Sequence, residues 1–177
     1  PSSPVKGLHW QPSLVRDLTN GTYAAEYTVK KAGAYLVQVQ LGGVNVMGSP
    51  FQVAVLAART NAQASTAHGA GLRSCIAGTP ASFSIVARDE FGNARSVCGD
   101  DFVVTLTGPK GGSHVHGIVS ENGNGTYVVE YAVTSSGLYY IAVTLQGRHI
   151  SGSPFAMQTF PAAARSAHSS AFGANLA

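Results

Sequence analysis

The residues in this chain that could do chemistry are few and badly placed for it. His114 and His116 stand two apart, so a strand would project both to one face, where a metal could bridge them. A zinc site needs further ligands, and neither a Cys nor an Asp lies nearby in sequence, so the pair reads as two exposed polar residues. Asp89, Glu90, Asn93, Asp100 and Asp101 crowd into one connection and raise the idea of Ca²⁺. They lack the regular ligand spacing of a calcium loop, and turn-making and solvation are their default roles. The glycine-rich Asn122–Gly125 segment lacks the lysine and following helix of a phosphate loop. There is no nucleophile elbow and no HExxH pair. The expectation is no catalytic residue, no metal and no cofactor.

Composition points to what carries the function instead. Of 177 residues, 45% are apolar and only 11% are charged, so the polar surface rests on Ser, Thr, Asn, Gln and backbone. The net charge is +3 with no run of like charges, which argues against the basic stripe that a nucleic-acid binder uses on phosphates. No apolar run approaches the ~18 residues that cross a bilayer, so no membrane insertion is expected. Pro1-Ser2-Ser3-Pro4 has neither a starting Met nor a signal peptide's apolar stretch, which suggests a piece of a longer protein.

Short runs of Val, Tyr, Thr, Ile and Phe with period-2 alternation, punctuated by Gly, Pro and Asn, predict an all-β sandwich. These runs also repeat. Asn20-Gly21-Thr22-Tyr23 recurs as Asn124-Gly125-Thr126-Tyr127, an offset of 104 residues. The same offset carries Glu26-Tyr27 onto Glu130-Tyr131, Gly33 onto Gly137, Tyr35 onto Tyr139 and Gly48-Ser49-Pro50-Phe51 onto Gly152-Ser153-Pro154-Phe155. Further on, Gly69-Ala70 maps to Gly173-Ala174 and Leu72 to Leu176. The phase predicts a complete unit at residues 68–158, flanked by Ala/Ser-rich linkers at 57–67 and 159–171. Residues 1–56 are then the second half of a preceding unit and residues 172–177 begin a following one. A half sandwich cannot close a core, so the chain is expected to cut through a longer array.

Seven strands are predicted in the complete unit: 72–76 (A), 81–88 (B), 101–107 (C), 114–120 (D), 126–133 (E), 137–146 (F) and 150–158 (G). Phe83, Ile85 and Ala87 in B, and Phe102, Val104 and Leu106 in C, form the inward set. Cys75 and Cys98 then fall at opposite ends of B, about 25 Å apart at ~3.3 Å per residue. A disulfide needs Cα atoms within about 7 Å. Free thiols point to a reducing compartment, hence the cytoplasm. Against that, Asn20-Gly21-Thr22 and Asn124-Gly125-Thr126 are glycosylation acceptor sequences, although Asn-Gly is also a preferred hairpin turn.

Asn124-Gly125-Thr126-Tyr127, Glu130-Tyr131, Gly137-Leu138-Tyr139 and Gly152-Ser153-Pro154-Phe155 resemble the filamin-type immunoglobulin-like repeat. The front half agrees through Gly71-Leu72, the Ala77–Phe83 segment, Asp89, Gly92-Asn93 and Gly99-Asp100. The resemblance covers nearly the whole chain and implies seven-stranded β-sandwich repeats in tandem. It implies a non-catalytic spacer or protein-interaction module of a large cytoskeletal protein, an actin crosslinker or the tail of an axonemal motor chain in cilia. It further implies that a partner, an extended peptide or a neighbouring repeat, adds as a strand to the edge of C. Val103 and Thr105 of C and Gly117 and Val119 of D would line the groove, with Gly117 leaving it shallow. The alternative is an extracellular adhesion protein of the gamete-surface kind, with Asn20 and Asn124 glycosylated.

Overall fold

A computed structural model describes residues 14–109 and 114–163. The chain divides into two compact units at Ala58/Arg59. Residues 172–177, where a further repeat is expected to begin, and the end of the 159–171 linker lie outside the described residues.

The described residues of the first unit form three two-stranded antiparallel ladders. Strand β1 (Leu14–Asp17) pairs with β2 (Tyr23–Glu26), β3 (Gly33–Val37) with β6 (Phe51–Val55), and β4 (Gln40–Leu41) with β5 (Val44–Asn45). Gly42 and Gly43 supply the left-handed backbone that the two-residue turn between β4 and β5 requires.

The second unit is a two-sheet sandwich. Its elements are β7 (Thr66–His68), a 3₁₀ turn (Ala70–Leu72), β8 (Ser74–Ile76), β9 (Ala81–Val86), β10 (Phe102–Thr107), β11 (His114–His116), β12 (Ile118–Glu121), β13 (Thr126–Tyr131), β14 (Gly137–Leu145), β15 (Arg148–His149) and β16 (Phe155–Phe160). One sheet runs β11-β10-β14-β16-β8 with β15 paired to β14, and the other runs β12-β13-β9-β7. All strand pairs are antiparallel except β8 with β16. The period-2 apolar residues fill the space between the sheets. Phe83, Ile85 and Ala87 face Phe102, Val104 and Leu106, with Tyr127, Val129, Tyr131, Tyr139, Ile141, Val143 and Met157 completing the core. Two ring pairs tie this core: Phe102 meets Tyr127 edge-on at 5.0 Å between centroids, and Phe83 lies 6.3 Å from Tyr131. The Tyr131 hydroxyl donates to the Gly71 carbonyl, and burial pushes its pKa upward.

The repeat in the sequence is a repeat of pairing register. Leu14 opposite Glu26 corresponds to Ile118 opposite Glu130, and Val37 opposite Phe51 to Ile141 opposite Phe155. Gln40 opposite Asn45 corresponds to Thr144 opposite His149. What differs is cover. Tyr127 is 1% exposed whereas its counterpart Tyr23 is 68% exposed, and no residue in 14–58 is buried. Among its described residues, the first unit has the hairpins of the second half of a sandwich and none of the strands that would lie across them.

Three predicted boundaries move. Residues 57–67, read as linker from composition, belong largely to the second unit: Ala62 and Ser65 are buried and β7 begins at Thr66. The Ser65 hydroxyl donates to the Asn61 carbonyl at 2.8 Å and accepts the Arg88 amide at 3.1 Å, tying this segment to the end of the second predicted strand. Strand A therefore starts earlier than 72 and switches sheets through the 3₁₀ turn. Strand D breaks into β11 and β12, in different sheets, and strand G starts at Phe155 rather than 150. Among the described residues no helix is long and apolar enough to cross a membrane.

Candidate functional site

The strand expected to receive a partner, β10, lies next to β14 on one side, with Val103 opposite Thr144 and Thr105 opposite Ala142. Both outward side chains share one face; Val103 is 47% exposed and Thr105 half-buried. The far side of β10 is not open along its length. Thr105, Leu106 and Thr107 pair with His116, Val115 and His114 of β11, and the Gly117 amide donates to the Val104 carbonyl at 3.0 Å.

Gly117 sets this arrangement. A Cβ there would come within 2.8 Å of Val129 Cγ1 and 3.0 Å of Val104 Cγ1. Lacking one, the chain lies directly on those two valines, stays against β10 for three residues, then crosses to β13. Val119 turns inward onto the core opposite Val129, while its neighbour Ile118 is 69% exposed. The four residues expected to line one groove are thus separated. Val103 and Thr105 lie on the outer face of the sheet, Gly117 at the crossing and Val119 against the core. The edge that remains is held by β11, a strand of three residues.

Of the acidic cluster in the B–C connection, Glu90 and Asp101 are exposed and Asp89 is engaged in loop construction. Asp89 is buried, and its carboxylate accepts the amides of Phe91 and Asn93 and the Asn93 side-chain amide, each at 2.9 Å. Asp100 belongs to a different cluster, with Tyr127: the tyrosine hydroxyl donates to the Asp100 carboxylate at 3.0 Å and accepts the Asp100 amide at 2.9 Å. Burial, opposed in part by the amide's hydrogen bond and joined by the neighbouring carboxylate, pushes the Tyr127 pKa up to about 12. Among the described residues no group of three His, Cys, Asp or Glu side chains could hold a metal, and His114 and His116 are both exposed on β11.

The thiols keep separate company. Cys75 Sγ lies 3.6 Å from Met157 Sδ and 3.4 Å from Thr159 Oγ1, whereas Cys98 Sγ lies 3.7 Å from the Thr126 carbonyl oxygen; neither is in a disulfide. Asn20 and Asn124 are exposed, and both sit in turns: Asn20 Oδ1 accepts the Thr22 amide at 3.1 Å, and Asn124 is left-handed at φ 49°.

A second edge was not expected from the sequence. Where the chain switches sheets between β7 and β8, a groove of about 760 Å³ opens between residues 67–73 and the start of β16. Its walls include His68, Leu72, Arg73, Pro154, Phe155 and Ala156. The sequence signal for it is faint: Gly69 and Gly71, which let the turn press against Ser82 and Phe83.

Comparison with known proteins agrees with this architecture. The Filamin/ABP280 repeat family matches residues 5–52 and 59–156. Filamin-A of Drosophila melanogaster is 29% identical over 143 residues, covering 80% of this chain and 6% of that protein. The E3 ubiquitin-protein ligase TRIM71 of Rattus norvegicus is 39% identical over 90 residues, covering 50% of this chain and 10% of that protein. The chain therefore spans a small part of the curated relatives it matches. Among solved structures, the Lin-41 filamin domain superposes with a TM-score of 0.52 at 24% identity, covering 57% of this chain and 96% of that one. The Escherichia coli adhesin FdeC superposes with a TM-score of 0.55 at 25% identity, covering 83% of this chain and 46% of that one. Matched by the family over both of its units, the chain belongs to the filamin repeat family.

Proposed function

We propose that this chain is a spacer and docking region of a large cytoskeletal protein, and that an extended partner segment adds to the edge of β10 in place of β11. The observation that carries this is the slightness of β11. Only Thr105–Thr107 are paired to it, its own residues are exposed or half-buried, and it leaves the edge at Gly117. A strand edge offers backbone donors and acceptors to any extended chain, and outward side chains such as Val103 and Thr105 then select among them. Titrating the isotope-labelled chain with a blocked VTVTVT peptide tests it by NMR. The amides of 103–107 and 114–117 shift together if β11 is displaced. Shifts confined to other elements would end this reading.

The alternative, an extracellular adhesion role, is favoured by the exposed Asn20 and Asn124 in Asn-Gly-Thr sequences and by the likeness to FdeC. Intact mass of protein from its native source, with glycosidase and thiol alkylation, separates the two. Bare asparagines with both cysteines alkylated favour the cytoplasm; glycan on either asparagine favours the cell surface.

A further inference from the structure

The edge of β16 is closed over only half its length. The Gln158 amide donates to the Arg73 carbonyl at 2.9 Å and the Ala77 amide to the Phe160 carbonyl at 2.8 Å, so residues 158 and 160 direct their backbone groups toward β8. Backbone groups of alternate residues point to the same side of a strand. Ala156 therefore directs its amide and carbonyl to that side as well, and β8, paired only to 158–160, does not reach it. Ala156 is exposed, and the space its backbone faces is the groove between residues 67–73 and β16.

The chemistry of that groove is one-sided. Among the described residues His68 and Arg73 are the ionisable ones that line it, both are exposed, and no carboxylate joins them. The side chains of His68 and Arg73 make no hydrogen bond or ion pair with any described residue. Leu72 and Phe155 add apolar surface to the walls. A volume of about 760 Å³ is within the range of sites that enclose ligands.

From these features we infer that the groove is a second docking site, separate from the β10 edge, for an extended peptide bearing a carboxylate side chain. The peptide backbone exchanges hydrogen bonds with Ala156, continuing the position that β8 occupies two residues further along. Its acidic side chain meets Arg73, whose guanidinium fork suits a carboxylate, with His68 alongside. Its apolar neighbours rest on Leu72 and Phe155. The inference does not depend on β10 binding anything.

The test uses the full chain, isotope-labelled, with the blocked peptides TVEVTV and TVQVTV. The glutamate peptide should shift the amides of 68–73 and 155–157, leave 103–107 unmoved, and bind at least tenfold tighter than the glutamine peptide. Arg73→Glu, at an exposed side chain, should abolish that preference with the spectrum otherwise folded. Ala156→Pro, which removes the open donor at a position β14 does not use, should weaken both peptides. Equal affinity for the two peptides, shifts at β10 instead, or no shift at millimolar peptide would each overturn the inference.

Discussion

The Tyr127 hydroxyl both donates to the carboxylate of Asp100, at 3.0 Å, and accepts the amide of the same residue, at 2.9 Å. One phenol thereby pins the loop that leads into β10 to the strand facing it across the core. Tyr127→Phe removes both bonds and leaves Asp100 unpaired, at a cost of about 1–3 kcal/mol. Urea denaturation followed by circular dichroism measures it, and an unchanged midpoint would show the loop is held by other means.

The same hydroxyl gives an alkaline signature. Its pKa is raised to about 12 in the folded protein against 10.0 for the free side chain. A raised pKa means the folded state prefers the protonated phenol, so this stabilisation is complete below pH 10 and is lost as pH climbs toward about 12. Stability of the second unit should fall over that interval, and Tyr127→Phe should fall less steeply. Parallel pH profiles for the two proteins would refute the assignment.

Tyr23 and Tyr127 are the same residue of the repeat in opposite environments, 68% and 1% exposed. Tyr127→Ala should destabilise by about 3–5 kcal/mol, the range for buried aromatics. Tyr23→Ala should stay within about 0.5 kcal/mol, as at other exposed sites. Thermal unfolding of both variants checks this, and a large effect at Tyr23 would mean that its face is covered in solution.

Two glycines separate crowding from backbone strain. A Cβ at Gly71 would lie 2.4 Å from the Ser82 carbonyl oxygen, whereas one at Gly78, φ +79°, meets nothing within 4 Å. Gly78→Ala should therefore cost about 1–2 kcal/mol from the left-handed backbone alone. Gly71→Ala must move one main chain off another and should cost about 3 kcal/mol, the upper end for overpacking. Comparable urea midpoints would contradict the close approach.

Gly117→Val should lift β11 from β10, because its Cβ would strike Val129 and Val104. Amide exchange at 114–117 should then quicken about tenfold or more while 137–145 stays protected, and peptide should bind the β10 edge more tightly. Unchanged exchange at 114–117 would show that β11 does not depend on the glycine.

Where apolar residues alternate, the sequence reading reached the structure: Phe83, Ile85 and Ala87, and Phe102, Val104 and Leu106, are all core. The offset of the Asn-Gly-Thr-Tyr repeats carried through to identical ladder registers because side-chain parity fixes register wherever a face is meant for burial. Composition failed where small residues are buried. Ala62 and Ser65 look like linker, yet both are buried against the second unit. Strand D looked continuous because its alternation runs through Gly117, and nothing in side-chain pattern shows a chain changing sheets. The β16 groove was out of reach for a related reason: it is defined by where β8 stops, which is a matter of backbone pairing.

The parallel pairing of β8 with β16 has a mechanical consequence. The two strands run the same way, so a pull on the start of β8 and the end of β16 draws these neighbours in opposite directions along their shared axis. The bonds from Gln158 to Arg73 and from Ala77 to Phe160 lie across that pull and must give way together rather than one at a time. A pull on the two ends of this unit meets β7, held antiparallel to β9, before it reaches that ladder, so the β8–β16 bonds bear load in shear once β7 has come away.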